Sequence, residues 1–284
     1  MAEIIVVTSE DLKKQRISGF DFEKEITNPR DSIDPDLLFM LEKAEGPFLI
    51  EYGGVKVLSR QSEFYPNPTF NHFALANHLK NSRVTSKKII DLGCGVGFLG
   101  NYGAVNLNPE TVIFSDLNPD ALNQSLYSYT LNNSFDESAV KQQPHKYGAR
   151  FDFGKHTIDL RVGNSAETLI NYDAEGCVSL CAPMYIPGIC EVFPQAFSFF
   201  ASVAKNTGSR LFIGHSNLTS KLVENAAEAN NLNLRSREEN RVPFMVEYVD
   251  SRKDLIQEEL ISKGLEFDKF GKAYHRLMVS ELYD

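Results

Sequence analysis

The 284-residue chain has only four cysteines, at 94, 177, 181 and 190, with no C-x-x-C pair and no histidine near them at metal-ligand spacing. Neither a zinc ribbon nor a disulfide framework is expected. Three of the four fall in or beside apolar, strand-like runs and read as small buried hydrophobes in a reducing cytosol. No apolar stretch approaches the roughly 20 residues of a bilayer span, and Met1-Ala2-Glu3-Ile4-Ile5-Val6-Val7 lacks the basic n-region of a signal peptide. A cytoplasmic protein without a membrane partner is expected. Basic residues are few: 29 Lys and Arg against 38 Asp and Glu, a net charge of -9. This disfavours nucleic acid as a partner, because broad phosphate binding needs a positive surface. Internal repeats and low-complexity tracts are absent as well. The length suffices for one large core with an N-terminal extension.

What is present is Ile89-Ile90-Asp91-Leu92-Gly93-Cys94-Gly95-Val96-Gly97-Phe98-Leu99-Gly100, a buried strand stopped by glycines ahead of a helix near Phe98. Glycines permit positive φ and let the backbone approach a ligand closely. A second apolar run, Val112-Ile113-Phe114-Ser115-Asp116, also ends in a carboxylate. In an open parallel sheet such strand ends share one crevice, so Asp91, the glycine turn and Asp116 face one ligand. Gly95 to Gly100 fits G-x-G-x-x-G, and Asp116 lies near the roughly twenty-residue offset of a ribose-binding acid. A nicotinamide or flavin dinucleotide is one candidate, but the Asp91 charge would repel its pyrophosphate. S-adenosylmethionine carries no phosphate, and its sulfonium and amino groups suit that carboxylate. It is the expected cofactor, and no metal is expected.

Residues 8 to 45 read as a mixed-charge helical cap, with helix starts at Thr8-Ser9-Glu10-Asp11 and Ile33-Asp34-Pro35. Phe48 to Tyr52 and Val55 to Leu58 flank Gly53-Gly54, a hairpin signal. A proline-held loop, Glu63 to Phe70, precedes a helix over Asn71 to Leu79. From Lys87 the pattern alternates. Strands are predicted near 87–92, 111–116, 157–162, 176–182, 209–214, 232–237 and 274–281, and helices near 97–106, 119–131, 190–205 and 217–230, which implies a parallel sheet covered on both faces. Two insertions break the alternation. Residues 132–156, with Lys141, His145, Lys146, Arg150, Lys155 and His156, read as a solvated loop, with a site for an anionic substrate as the alternative. Residues 241–272 carry a helical segment, Asp254 to Ile261, stopped at Gly264.

Four features make the chain resemble a class I S-adenosylmethionine-dependent methyltransferase, and more narrowly the HemK-type branch with its Asn-Pro-Pro-Tyr motif. They are Asp91-Leu92-Gly93-Cys94-Gly95-Val96-Gly97, Asp116-Leu117-Asn118-Pro119-Asp120-Ala121-Leu122, the Tyr185-Ile186-Pro187 ending, and Tyr65-Pro66-Asn67-Pro68. The resemblance covers roughly residues 48 to 237. It implies an α/β fold, a three-layer, seven-stranded Rossmann-like sheet with an N-terminal cap and β-hairpin. Residues 1–80 would form the cap and hairpin, and residues 81–284 the methyltransferase domain. It implies cofactor contacts at Asp91, Gly93, Cys94, Gly95, Asp116, Leu117, Asn164, Ser165 and Ala182, and an acceptor site at Pro183 and Tyr185. His215, at the end of the fifth strand, is the candidate base for a hydroxyl or protonated amine. The chain departs from the branch where Ala182 and Met184 replace the opening Asn and second Pro. The missing side-chain acceptor makes a small-molecule or protein substrate the leading expectation. A HemK-like nitrogen methyltransferase and a cofactor-binding module without turnover are the alternatives.

Overall fold

The computed structural model describes residues 15–16, 48–59, 70–170, 172, 176–183, 195–243, 253–270 and 273–284. Within the expected helical cap of 8 to 45 only Gln15–Arg16 are described, as a short strand; the rest of it, the Tyr65-Pro66-Asn67-Pro68 segment and Tyr185-Ile186-Pro187 lie outside these residues.

Strands β4 (Lys88–Leu92), β5 (Thr111–Asp116), β8 (Thr157–Val162), β9 (Val178–Cys181) and β10 (Arg210–Ser216) run parallel in the order β8-β5-β4-β9-β10. Beyond β10 the sheet continues with β13 (Ala273–Tyr283), antiparallel to β10, and then β11 (Asn233–Pro243), antiparallel to β13. All seven expected strands are therefore in one sheet. The last of them is inserted antiparallel between the fifth and sixth.

Alternating side chains explain why both faces are covered, since successive residues of a strand point to opposite sides. Ile89 joins an apolar cluster with Phe73, Phe98 and Tyr102, under helices α1 (Phe70–Asn81) and α2 (Phe98–Asn106). Ile90 and Ile113 join the opposite cluster, with Phe197 and Val223 of α5 (Ala196–Thr207) and α6 (Ser220–Ala229). Helix α3 (Pro119–Asn132) covers β5 and β8 through Leu122 and Leu126, which meet Phe114 and Leu160. A one-turn helix, α4 (Ser165–Thr168), follows β8.

A short strand β1 (Gln15–Arg16) pairs with β2 (Phe48–Tyr52), which forms the expected hairpin with β3 (Val55–Ser59). Its turn uses Gly53 and Gly54 at φ +55° and +77°, the backbone that two-residue hairpin turns require. The hairpin packs on α3: the Leu58 N–H donates to Ser128 Oγ at 3.0 Å and the Lys56 N–H to Asn132 Oδ1 at 2.7 Å.

The 132–156 insertion differs from the expected solvated loop. It folds as the hairpin β6 (Lys141–His145) and β7 (Gly148–Asp152) and extends the sheet beyond β8. Ala149 and Phe151 alternate into the core while the rest of the hairpin stays polar, which hides the strand pattern. Pro144 sits in the outermost strand, where a missing N–H donor is tolerated. In the 241–272 insertion, α7 (Lys253–Ser262) ends ahead of Gly264 at φ +100°, and β12 (Glu266–Phe267) pairs with β13.

Candidate functional site

The site is built at the carboxyl ends of β4 and β5. The N–H groups of Gly93 and Cys94 both donate to the Ser115 carbonyl, at 2.8 and 3.1 Å, which ties the turn after β4 to the tip of β5. Gly93, Gly95 and Gly97 have φ of +65°, +51° and +74°. A Cβ on Gly97 would lie 2.4 Å from Ser125 Oγ and 2.8 Å from Ser125 Cα, so a side chain there clashes with the neighbouring helix. Gly100 has a different task. Its absent Cβ lets α2 lie against Phe114, whose ring edge would be 2.3 Å away.

Asp91 is 2% exposed, and its Oδ2 accepts the Gly100 N–H at 2.7 Å. Burial pushes its carboxyl up to about 8; the Gly100 N–H opposes that shift and the Asp116 charge adds to it. Asp91 thus braces the start of α2 and shapes the turn before it. Asp116 is half-buried. Its Oδ2 accepts the Gly95 N–H and its Oδ1 the Asn118 N–H, both at 2.9 Å. Burial raises this carboxyl above the usual carboxylate range, opposed by the same N–H groups. Asn118 in turn caps α3, its side chain accepting the Asp120 N–H at 3.0 Å. Both acids therefore grip one glycine turn, Asp116 at its middle and Asp91 at its helical end.

Other expected residues gather around this turn. Cys94 is buried against Ser125, Sγ to Oγ 3.4 Å, and burial with the two nearby acids pushes its thiol well up. Gly163 donates to the Asp116 carbonyl at 2.9 Å, which brings the tip of β8 to the crevice. Asn164 there is exposed and caps α4, and Ser165 is buried with its Oγ 2.8 Å from Ser115 Oγ. Leu117 is 71% exposed immediately after Asp116. Ala182 packs against the Phe73 and Phe98 cluster just past β9, and Pro183 beside it is half-buried. Tyr185 lies outside the described residues.

His215, expected as a base, is enclosed at the tip of β10. It is 1% exposed, its Nδ1 donates to the Ser216 carbonyl at 2.9 Å, and its Nε2 accepts from Ser280 Oγ at 2.8 Å. With both nitrogens occupied, and burial lowering its pKa to about 4, the ring joins β10 to β13 and is not placed to take a substrate proton. Two contributors were not singled out in the sequence. Ser115 supplies the carbonyl that holds the turn, and Ser125 packs against Gly97 while its Oγ donates to the Gly95 carbonyl at 3.3 Å. The first is a main-chain carbonyl, which no side-chain type signals, and Ser125 left no signal either.

Among the described residues, no group of His, Cys, Asp or Glu is arranged to hold a metal, and no helix is long and apolar enough to cross a membrane. Residues 72–153 match the methyltransferase small domain family. No curated protein matches the sequence. Among solved structures, the chain is similar to Trm1 from Pyrococcus horikoshii in complex with S-adenosyl-L-methionine, at 16% identity over 83% of this chain and 61% of that one, TM-score 0.48. It is similar to YcgJ of Bacillus subtilis at 10% identity, over 75% and 98% of the two chains, TM-score 0.43. It is also similar to precorrin-6y C5,15-methyltransferase of Geobacter metallireducens at 7% identity, over 80% and 93%, TM-score 0.44.

Proposed function

We propose that the chain is an S-adenosylmethionine-dependent methyltransferase acting on a small-molecule or protein acceptor. The observation that carries this reading is the pair of carboxylates, Asp91 and Asp116, fixed on a single glycine turn. Burial raises both carboxyls, so each gives up its proton most readily opposite a cation, which favours a cationic ligand over a pyrophosphate. Each Asp116 oxygen spends one lone pair on a backbone N–H and keeps another, so the carboxylate can still accept from ribose hydroxyls. Leu117 offers an uncovered apolar side chain beside it for the adenine, with Asn164 at the rim. Gly93 and Gly95 give the backbone room for the methionine end.

When bound, the cofactor supplies an electrophilic methyl group on a sulfonium, and a neutral thioether leaves. The protein's part is then mainly to hold the acceptor in line, which fits a crevice whose nearest expected base, His215, is committed elsewhere. Ala182 and Pro183, with Tyr185, are the proposed acceptor wall. Ala182 has no side-chain acceptor and packs into the core, which favours an oxygen, carbon or differently held nitrogen over the amide of the HemK branch.

Calorimetry with S-adenosylmethionine and S-adenosylhomocysteine tests the reading. Micromolar binding by the native chain, lost in Asp116→Ala, is expected; unchanged binding in that variant would overturn it. A radiolabelled methyl screen of metabolite and protein fractions then identifies the acceptor class.

A further inference from the structure

The β6–β7 hairpin carries a second constellation. Register sets Arg150 opposite Asp159 and Gly148 opposite Arg161, which brings the Lys146-Tyr147 turn to the same end of the sheet as Asp116. The Val162 N–H donates to the Tyr147 carbonyl at 2.8 Å, beside the Gly163 corner of the cofactor crevice. Asp159 is fully buried and strongly bonded. Its Oδ1 accepts from His145 Nε2 at 3.0 Å and Arg161 Nε at 3.2 Å; its Oδ2 accepts from Arg150 Nη2 at 3.0 Å and Arg161 Nη2 at 3.1 Å. The Tyr147 N–H donates to His145 Nδ1 at 3.2 Å, so the imidazole can bond both groups while neutral.

Above this buried acid opens a cavity of about 330 Å³, lined by Gln143, His145, Lys146, Tyr147, Arg150 and Arg161 among others. That is a small ligand's volume. Among the described residues, three cationic side chains and no carboxylate line it. One buried carboxylate holds the hairpin to the sheet, but it cannot neutralise two guanidiniums and the Lys146 ammonium together. The Arg150 guanidinium is half-exposed, yet its Nε is buried with no partner among the described residues. A buried N–H of that kind ordinarily finds an acceptor. A scaffold of ion pairs alone would not leave this surplus of charge and donors at the mouth of a cavity. The chain as a whole is acidic, which suits a locally built site for one small anion better than a polyanion groove.

We propose that this cavity binds a phosphate-bearing small molecule, with Arg150, Arg161 and Lys146 as the anion's donors and Gln143 and His145 at the rim. Guanidiniums match phosphate geometry through paired N–H bonds, and a lysine adds a mobile charge. The site is separate from the cofactor crevice, two strands along from β5.

Calorimetric titration of the whole chain with inorganic phosphate and pyrophosphate, at constant ionic strength in chloride, tests this. Saturable binding is expected, weakened about tenfold or more in both Arg150→Gln and Lys146→Met, with S-adenosylhomocysteine affinity unchanged at saturating phosphate. Lys146 takes no part in the ion pairs beneath the cavity, so Lys146→Met decides the matter if Arg150→Gln fails to fold. Absence of saturable binding, binding unaltered by either folded variant, or competition with S-adenosylhomocysteine would overturn the proposal. A short single-stranded RNA that binds where inorganic phosphate does not would overturn it in favour of nucleic acid.

Discussion

Asp91 and Asp159 are both buried carboxylates in one sheet, on β4 and β8 with β5 between them, yet they are satisfied by opposite means. Asp91 accepts a backbone N–H of α2, a neutral donor, and burial raises its carboxyl so that the acid keeps its proton near neutrality unless a cation faces it. Asp159 accepts from two guanidiniums and an imidazole, which more than balance it. On the two proposals above, a cation completes the first arrangement and an anion the second. A buried charge thus foretells the sign of its missing partner only when the donors around it are counted.

The same substitution at the two positions sharpens the contrast. Asp159→Asn removes the centre of the ion-pair cluster and leaves two guanidiniums facing each other; it is expected to lower stability by about 3–5 kcal/mol, read from urea midpoints. A loss under about 1 kcal/mol would mean that the guanidiniums reach water and need no partner. Gly97→Ala is next, at about 2–3 kcal/mol, because it strains a positive φ and meets Ser125. Thermal unfolding measures this, and cofactor binding should fall with it. Asp91→Asn keeps an oxygen for the Gly100 N–H, so the fold should survive with cofactor affinity reduced about tenfold, ~1.4 kcal/mol. Its pH signature is distinctive. The Asp91 carboxyl is raised from 3.8 to about 8 in the folded chain, so the folded state holds a proton that the unfolded state releases. Stability from this group is complete below pH 3.8 and is lost as pH rises through about 8. The Asn variant should flatten that slope, and an unchanged slope would show that another group causes it. The smallest effect on the ligand belongs to His215→Asn. Cofactor affinity between pH 6 and 8 should not change, because the ring is already neutral there and bonded within the protein; a lost limb in the pH–rate profile would restore it as a base.

Much of the fold was legible because the inner strands are continuous apolar runs that end at glycine or a carboxylate, as β4 and β5 do. Their buried environment on two faces leaves little freedom of composition. The hairpin β6–β7 was illegible for the converse reason: it is an edge, only Ala149 and Phe151 alternate inward, and Pro144 argues against a strand. The crevice acids could be read from position alone, but their partners could not, since the Gly100 and Gly95 donors depend on where the turn curls. His215 looked available because sequence shows that it ends a strand and not that Ser280, 65 residues further on, reaches its other nitrogen. Asp159 lay hidden in β8 with Arg161 two positions on. Their spacing on one face was the missed clue.

Strand β13 meets β10 on one side and β11 on the other, with Leu282 level with both Leu211 and Leu234. Those two strands never touch each other as a pair, although both precede β13 in the chain. The parallel strands bearing the crevice are complete without β11 or β13, while β11 joins the sheet only through β13. Until Ala273–Tyr283 slides in, β10 presents a bare row of peptide groups, the kind of edge that recruits a wrong neighbour. Ser280 and His275 come with that strand and bond His215 and Ser216, so the tip of β10 is fastened only when β13 is in place.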